Sequence, residues 1–163
     1  MSRISAIVLS VVFAVGGCAG DQNVSSPPIP VTLESLVDEI GSRDGRIVVV
    51  NFWATWCMPC RIEFPELVRF GKEFADQGVD IVFVSTDFES DKQLAEAFLE
   101  EQGVPWPSYI RTDVNLEFIR SFHPEWTGAL PATFIFDRDG HLRAFWEGMT
   151  SYDELNETVG QML

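Results

Sequence analysis

Two cysteines spaced three residues apart, in Trp53-Ala54-Thr55-Trp56-Cys57-Met58-Pro59-Cys60, stand where one hydrophobic periodicity gives way to another. Before them, Ile47-Val48-Val49-Val50-Asn51-Phe52-Trp53 is a β-branched and aromatic run suited to a central strand buried on both faces. After them, Leu67, Val68, Phe70 and Phe74 stripe one side of a helix that stops at Gln77-Gly78, with Pro65 predicting a kink in its first turns. A strand feeding a helix across a cysteine pair places both sulfurs at the positive end of the helix dipole.

That placement has chemical consequences. A cysteine at a helix start lies beside unpaired backbone N–H groups, which favour the thiolate and bring its pKa below the free value of about 8.5. Cys60, one turn further on, lies on the same side and can resolve a mixed disulfide that Cys57 forms with a substrate. Cys57 is the expected attacking sulfur and Cys60 the releasing one.

The remaining segments read as alternating helices and strands. Thr32 can cap a helix with Leu33, Leu36, Val37 and Ile40 at helical spacing and Gly41 as its stop, followed by a loop at Ser42 to Gly45. A second buried strand is expected at Val79 to Ser85, then a loop at Asp87 to Ser90. Asp91 can cap a helix whose Leu94, Phe98 and Leu99 face the core until Gly103. Trp106 to Ile110 reads as a short strand and Asn115 to Phe122 as a helix. Pro131 opens a strand, Ala132 to Phe136, that turns at Asp137-Arg138-Asp139-Gly140 into His141 to Trp146. Ser151 to Glu154 fits a capping box ahead of a helix bearing Leu155, Val159 and Met162. The order implies an α/β fold with a mixed central sheet and helices on both faces.

With these segments in place, the sequence resembles the thioredoxin-fold thiol–disulfide oxidoreductases of the bacterial envelope, in particular the TlpA/ResA-like group, over residues 31 to 163. The stretch from Asn51 to Pro65 is similar to the group's active-site segment, and Leu130-Pro131-Ala132-Thr133-Phe134-Ile135-Phe136-Asp137-Arg138-Asp139-Gly140 to its cis-proline strand and turn. The resemblance implies a thioredoxin-like fold and a redox-active Cys57–Cys60 disulfide, with no bound cofactor or metal. It implies that Pro131 is cis and faces the disulfide, where the backbone of Leu130 can pair with an extended substrate strand. Substrate contact is expected at Trp56, Met58, Pro59, Ala129 and Leu130. Asn51 stands where thioredoxins proper carry a buried aspartate, and Glu63 matches the acid this group has instead. If partly buried, Glu63 would have a raised pKa and could take the proton of Cys60. The run Phe122-His123-Pro124-Glu125-Trp126 is bulkier than the group's usual approach to the cis-proline, and the added bulk is expected to shape a substrate groove.

The chain begins with an address. Arg3 is the one charge before an uncharged stretch from Ile4 to Gly20, and Val15-Gly16-Gly17-Cys18 resembles a lipobox. Residues 1–17 are thus expected to be a lipoprotein signal peptide, residues 18–30 a lipidated Cys18 with a flexible proline-rich tether, and residues 31–163 the folded domain. The implied location is the periplasm-facing side of the envelope, where protein disulfides are made and remade. Across 163 residues the formal net charge is -14, which leaves no basic field for a phosphate backbone and excludes nucleic acid as a partner.

The reading that follows is a membrane-tethered, monomeric oxidoreductase acting on protein thiols and disulfides. The resemblance points to a reductant fed by a membrane dithiol carrier, as in cytochrome c maturation. Rival readings are an oxidase or isomerase with the same site, a thiol peroxidase, a peptide-binding module with vestigial cysteines, and a zinc site built from Cys57, Cys60, His123 and His141. The peroxidase reading is weakened by Trp53-Ala54-Thr55-Trp56, which lacks the proline of a peroxidatic motif.

Overall fold

The computed structural model describes residues 26–112 and 116–163. The expected signal peptide, Cys18, the first residues of the tether, and Asn115 lie outside the described residues. A six-stranded sheet organises the rest, in the order β1-β4-β3-β2-β5-β6. Its strands are β1 (Ile29–Val31), β2 (Ile47–Trp53), β3 (Val79–Ser85), β4 (Tyr109–Arg111), β5 (Ala132–Phe136) and β6 (Leu142–Glu147). The pairs β1·β4, β4·β3 and β3·β2 are parallel, whereas β5 runs antiparallel to β2 and β6 antiparallel to β5.

β2 is buried at every position, as its apolar run requires, and strand alternation divides its side chains between two cores. Val48, Val50 and Phe52 face α1 (Leu33–Gly41) and α4 (Leu116–Phe122), packing with Leu36, Phe118, Trp126 and Phe134. Ile47, Val49, Asn51 and Trp53 alternate with them toward the opposite face. There α2 (Met58–Phe74), α3 (Lys92–Glu101) and α5 (Tyr152–Gly160) supply Phe64, Leu67, Phe98 and Leu155. α2 runs on through Pro65 and lies close against the sheet at Gly71. A Cβ there would come within 2.7 Å of both Ile81 and Trp106.

Several sequence expectations need correction. Ile29 and Pro30, read as tether, form β1, with Ile29 N–H donating to Ser108 O at 2.9 Å. Three residues are too few to show alternation, and an edge strand tolerates proline. The short strand expected at Trp106 to Ile110 starts only at Tyr109, because Trp106 turns its ring onto Phe83. Leu94 and Val37 are exposed, since the buried stripe of α3 runs through Ala95, Phe98 and Leu99 and that of α1 through Leu36. Asp91 occupies the cap position of α3 without a capping hydrogen bond, at the end of a short 3-10 turn, Glu89–Asp91, that takes up the last residues of the expected loop. Thr32 caps α1 as expected, and does so within a capping box with Ser35; the Ser151 capping box and the Asp137 to Gly140 turn also form as expected.

Candidate active site

β2 delivers the chain to the site at its carboxyl end. Cys57 N–H closes a turn onto Ala54 O at 3.1 Å, and Cys57 becomes the cap residue of α2. Pro59 sits in the first helical turn, where its missing N–H leaves no gap in the helical ladder. Cys57 and Cys60 are joined in a disulfide, and the backbone N–H of Cys60 points at Cys57 Sγ at 3.3 Å. Cys57 is 6% exposed and Cys60 wholly buried, so only one sulfur can be approached from outside.

Next to Cys57 in the chain the exposed side chains are apolar. Trp56 is 68% exposed and Met58 65%, and Pro59 is exposed beside them. The Leu130–Pro131 peptide is cis. Trp56 and Leu130 line one groove, floored by Ile119, Trp126 and Gly128, and Trp56 lines a second together with Arg61, Leu94 and Phe98. Ala129 is exposed, and its carbonyl accepts from the Trp126 indole at 3.1 Å. The expected bulk before the cis-proline goes largely inward: Trp126 is 3% exposed and packs 4.5 Å from the Phe52 ring, giving the groove only its floor.

Glu63 lies one turn beyond Cys60 on the buried stripe of α2 and is 3% exposed. Its Oε1 accepts from Asn51 Nδ2 at 2.9 Å and its Oε2 from the Thr150 N–H at 2.8 Å. The same Asn51 nitrogen donates to Thr133 Oγ1 at 3.0 Å. Burial pushes the Glu63 carboxyl up to about 7, against the opposing pull of the Thr150 and Asn51 hydrogen bonds. Such a group exchanges a proton near neutral pH. The residue before Thr150 also belongs to this region: Met149 is exposed, and the preceding Gly148 N–H donates to Pro131 O at 2.8 Å.

The four zinc candidates do not converge. His123 packs on Phe145 at 4.8 Å, and His141 lies in the β5–β6 turn beside Asp137, so neither joins the two cysteines. Sequence reasoning missed Thr133, Thr150 and Asp87, which hold the site from behind. Their signal was positional: Asp87 follows directly on the carboxyl end of the strand beside β2, where open α/β sheets place their sites.

A disulfide at a helix start, with Trp56-lined grooves next to it in the chain and a buried titratable carboxyl one turn behind it, is built to trade disulfides with other thiols. The class so defined is the thiol–disulfide oxidoreductase of thioredoxin-like fold. Residues 31–145 match the AhpC/TSA family model, and the chain belongs to that family. It is 27% identical over 144 residues to the thiol-disulfide oxidoreductase ResA of Oceanobacillus iheyensis, spanning 88% of this chain and 70% of that one. It is 29% identical over 135 residues to the thiol:disulfide interchange protein HelX of Rhodobacter capsulatus, spanning 82% and 70%. A thioredoxin-family thiol:disulfide interchange protein of Chlorobium tepidum shares the fold with a TM-score of 0.64 and 27% identity, over 75% of this chain and 83% of that one. Among the described residues no helix is long and apolar enough to cross a membrane.

Proposed function

We propose that the protein reduces disulfides in envelope proteins while tethered to the membrane through a lipid on Cys18, drawing its electrons from a membrane dithiol carrier. In the dithiol form the Cys57 thiolate attacks a substrate disulfide. A mixed disulfide forms, and one substrate sulfur leaves as thiolate. Glu63 then takes the proton of Cys60, whose sulfur attacks Cys57 Sγ and expels the second substrate thiolate. Two electrons pass to the substrate, and the Cys57–Cys60 disulfide remains to be reduced by the carrier. Trp56, Met58, Pro59, Ala129 and Leu130 hold the substrate strand against the cis-proline.

The observation that carries this reading is the buried Glu63, with its pKa near 7, one turn behind a buried Cys60. Its charge above neutral pH disfavours a standing thiolate at Cys60, which suits a couple that gives electrons away. Similarity to a thiol-disulfide oxidoreductase and a thiol:disulfide interchange protein supports the exchange chemistry, and a role in cytochrome c maturation is the reading the family resemblance suggests.

The deciding measurement is the reduction potential of the Cys57/Cys60 couple in glutathione or dithiothreitol buffers. A value near thioredoxin's, about -270 mV or lower, is expected. A value near that of DsbA, about -120 mV, would make the protein an oxidant. For the tether, incorporation of labelled fatty acid is expected in the full chain and lost in Cys18→Ser.

A further inference from the structure

Immediately past β3, a carboxylate is wholly enclosed without a counter-ion. Asp87 is 0% exposed, and among the described residues no Lys, Arg or His pairs with it. All its donors are neutral and come from Thr55, two residues before Cys57, and from Ser85 at the end of β3. Thr55 N–H reaches both oxygens, at 3.0 and 3.2 Å, and Thr55 Oγ1 donates at 2.7 Å. Ser85 Oγ donates at 2.7 Å and accepts from the Asp87 N–H at 3.0 Å. Next to it, Thr86 donates from both its backbone N–H and its hydroxyl to Trp53 O, at 2.7 and 3.2 Å. The end of β3 therefore grips the chain from Trp53 to Thr55, where it enters the turn that Cys57 N–H closes onto Ala54 O.

Hydroxyl and amide donors can be satisfied by a neutral acceptor, and burying a charge without a counter-ion is costly. A carboxylate kept at this position in spite of that cost has an effect that a neutral side chain would not have. We propose that Asp87 is a positioning residue of the redox site: its carboxylate locks the Thr55–Trp56 turn that presents Cys57, and its charge makes the Cys57/Cys60 couple more reducing. The physical route is direct. In the disulfide form Cys57 is neutral, so the fixed charge acts on it little. In the dithiol form the attacking thiolate stands two residues along the chain from Thr55, whose N–H and hydroxyl hold the second anion, and repulsion between the two charges raises the free energy of the reduced state alone.

The inference deepens the proposed function, because a clamp of this kind favours electron donation, but its test does not depend on which way electrons flow. The full-length protein and its Asp87→Asn variant are equilibrated with glutathione, and Cys57 is titrated by thiolate absorbance. Loss of the charge is expected to shift the equilibrium about tenfold toward the dithiol, a potential less negative by about 30 mV, and to lower the Cys57 midpoint in step. Asp87→Ser, which keeps a polar partner but no charge, is expected to shift both readings the same way. Variants that melt earlier yet keep the wild-type potential and the wild-type Cys57 titration would overturn the proposal and leave Asp87 a purely structural residue. A wild-type potential near that of DsbA would overturn the reductant direction, while the differences between variants would still decide the role of Asp87.

Discussion

Asn51 on β2 donates from a single amide nitrogen to Glu63 on α2, at 2.9 Å, and to Thr133 on β5, at 3.0 Å, so that a helix and two strands meet at one buried carboxyl. Thioredoxins proper, by the resemblance, place a proton-exchanging aspartate at the position of Asn51. Here the strand residue is a fixed donor and the titratable carboxyl sits across from it on the helix. The amide cannot titrate, so the protonation state of this region is that of Glu63.

A pH dependence of stability follows. The folded-state pKa of Glu63, about 7, lies above the ordinary value of 4.5, so the folded protein binds this proton more tightly than the unfolded chain does. The contribution is fully present below about pH 4.5, falls as pH rises toward 7, and levels off above that. Its upper size is about 3 kcal/mol. Unfolding midpoints measured from pH 4.5 to 8 are expected to decline for the wild type and to stay level for Glu63→Gln. Asp137 and Glu154, both held below the ordinary carboxylate range by hydrogen bonds, work in the opposite sense and only at lower pH.

The two cysteines are expected to fail differently. Because Cys57 alone reaches the surface, Cys57→Ser abolishes exchange. Cys60→Ser still attacks and accumulates a mixed disulfide, visible on a non-reducing gel. Glu63→Gln keeps both sulfurs but is expected to slow release from that adduct about 100-fold at neutral pH, a defect that narrows as rising pH deprotonates Cys60 directly.

The strand before the cysteines and the hairpin after Pro131 were legible because each joins an unambiguous apolar run to strong turn residues. Glu63 was legible in principle as well. It falls at the spacing of Cys60, Phe64, Leu67 and Val68, so any helix that buries those residues carries the carboxyl inward with them. Its donor Thr150, and Thr133, which accepts from its other donor Asn51, were not, since they come from loop and strand segments far away in the chain, and hydrogen-bond partners of that kind leave no local pattern. β1 was hidden by its length, and Trp126 by the ambiguity of a lone aromatic in a loop, which fits a groove wall and a core plug equally well.

Gly71 tests how tightly α2 lies on the sheet. A methyl group there would meet Ile81 Cγ1 and the Trp106 ring at 2.7 Å, well inside van der Waals contact. Alanine favours the helix by about 1 kcal/mol, but overpacking of this kind costs about 1–3 kcal/mol. Gly71→Ala is expected to lower stability by about 1 kcal/mol in denaturant titrations and to leave the reduction potential unchanged.

Trp56 forms a wall of both grooves beside Cys57, yet it is 68% exposed, so its large ring contributes little to the folded core. Aromatic surface of this kind serves recognition: it adds contact area with few rotamers to fix. Trp56→Ala is therefore expected to separate binding from stability. The unfolding free energy should stay within about 0.5 kcal/mol of wild type, as for surface substitutions generally. Reduction of a protein disulfide should lose about tenfold in kcat/KM, a loss equivalent to about 1.4 kcal/mol of transition-state binding. Reduction of a small disulfide such as oxidised glutathione, which spans less of the surface, should lose much less. Equal losses on both substrates would show that the ring supports the geometry of Cys57 instead, and would move Trp56 from the substrate surface to the same positioning frame as Thr55.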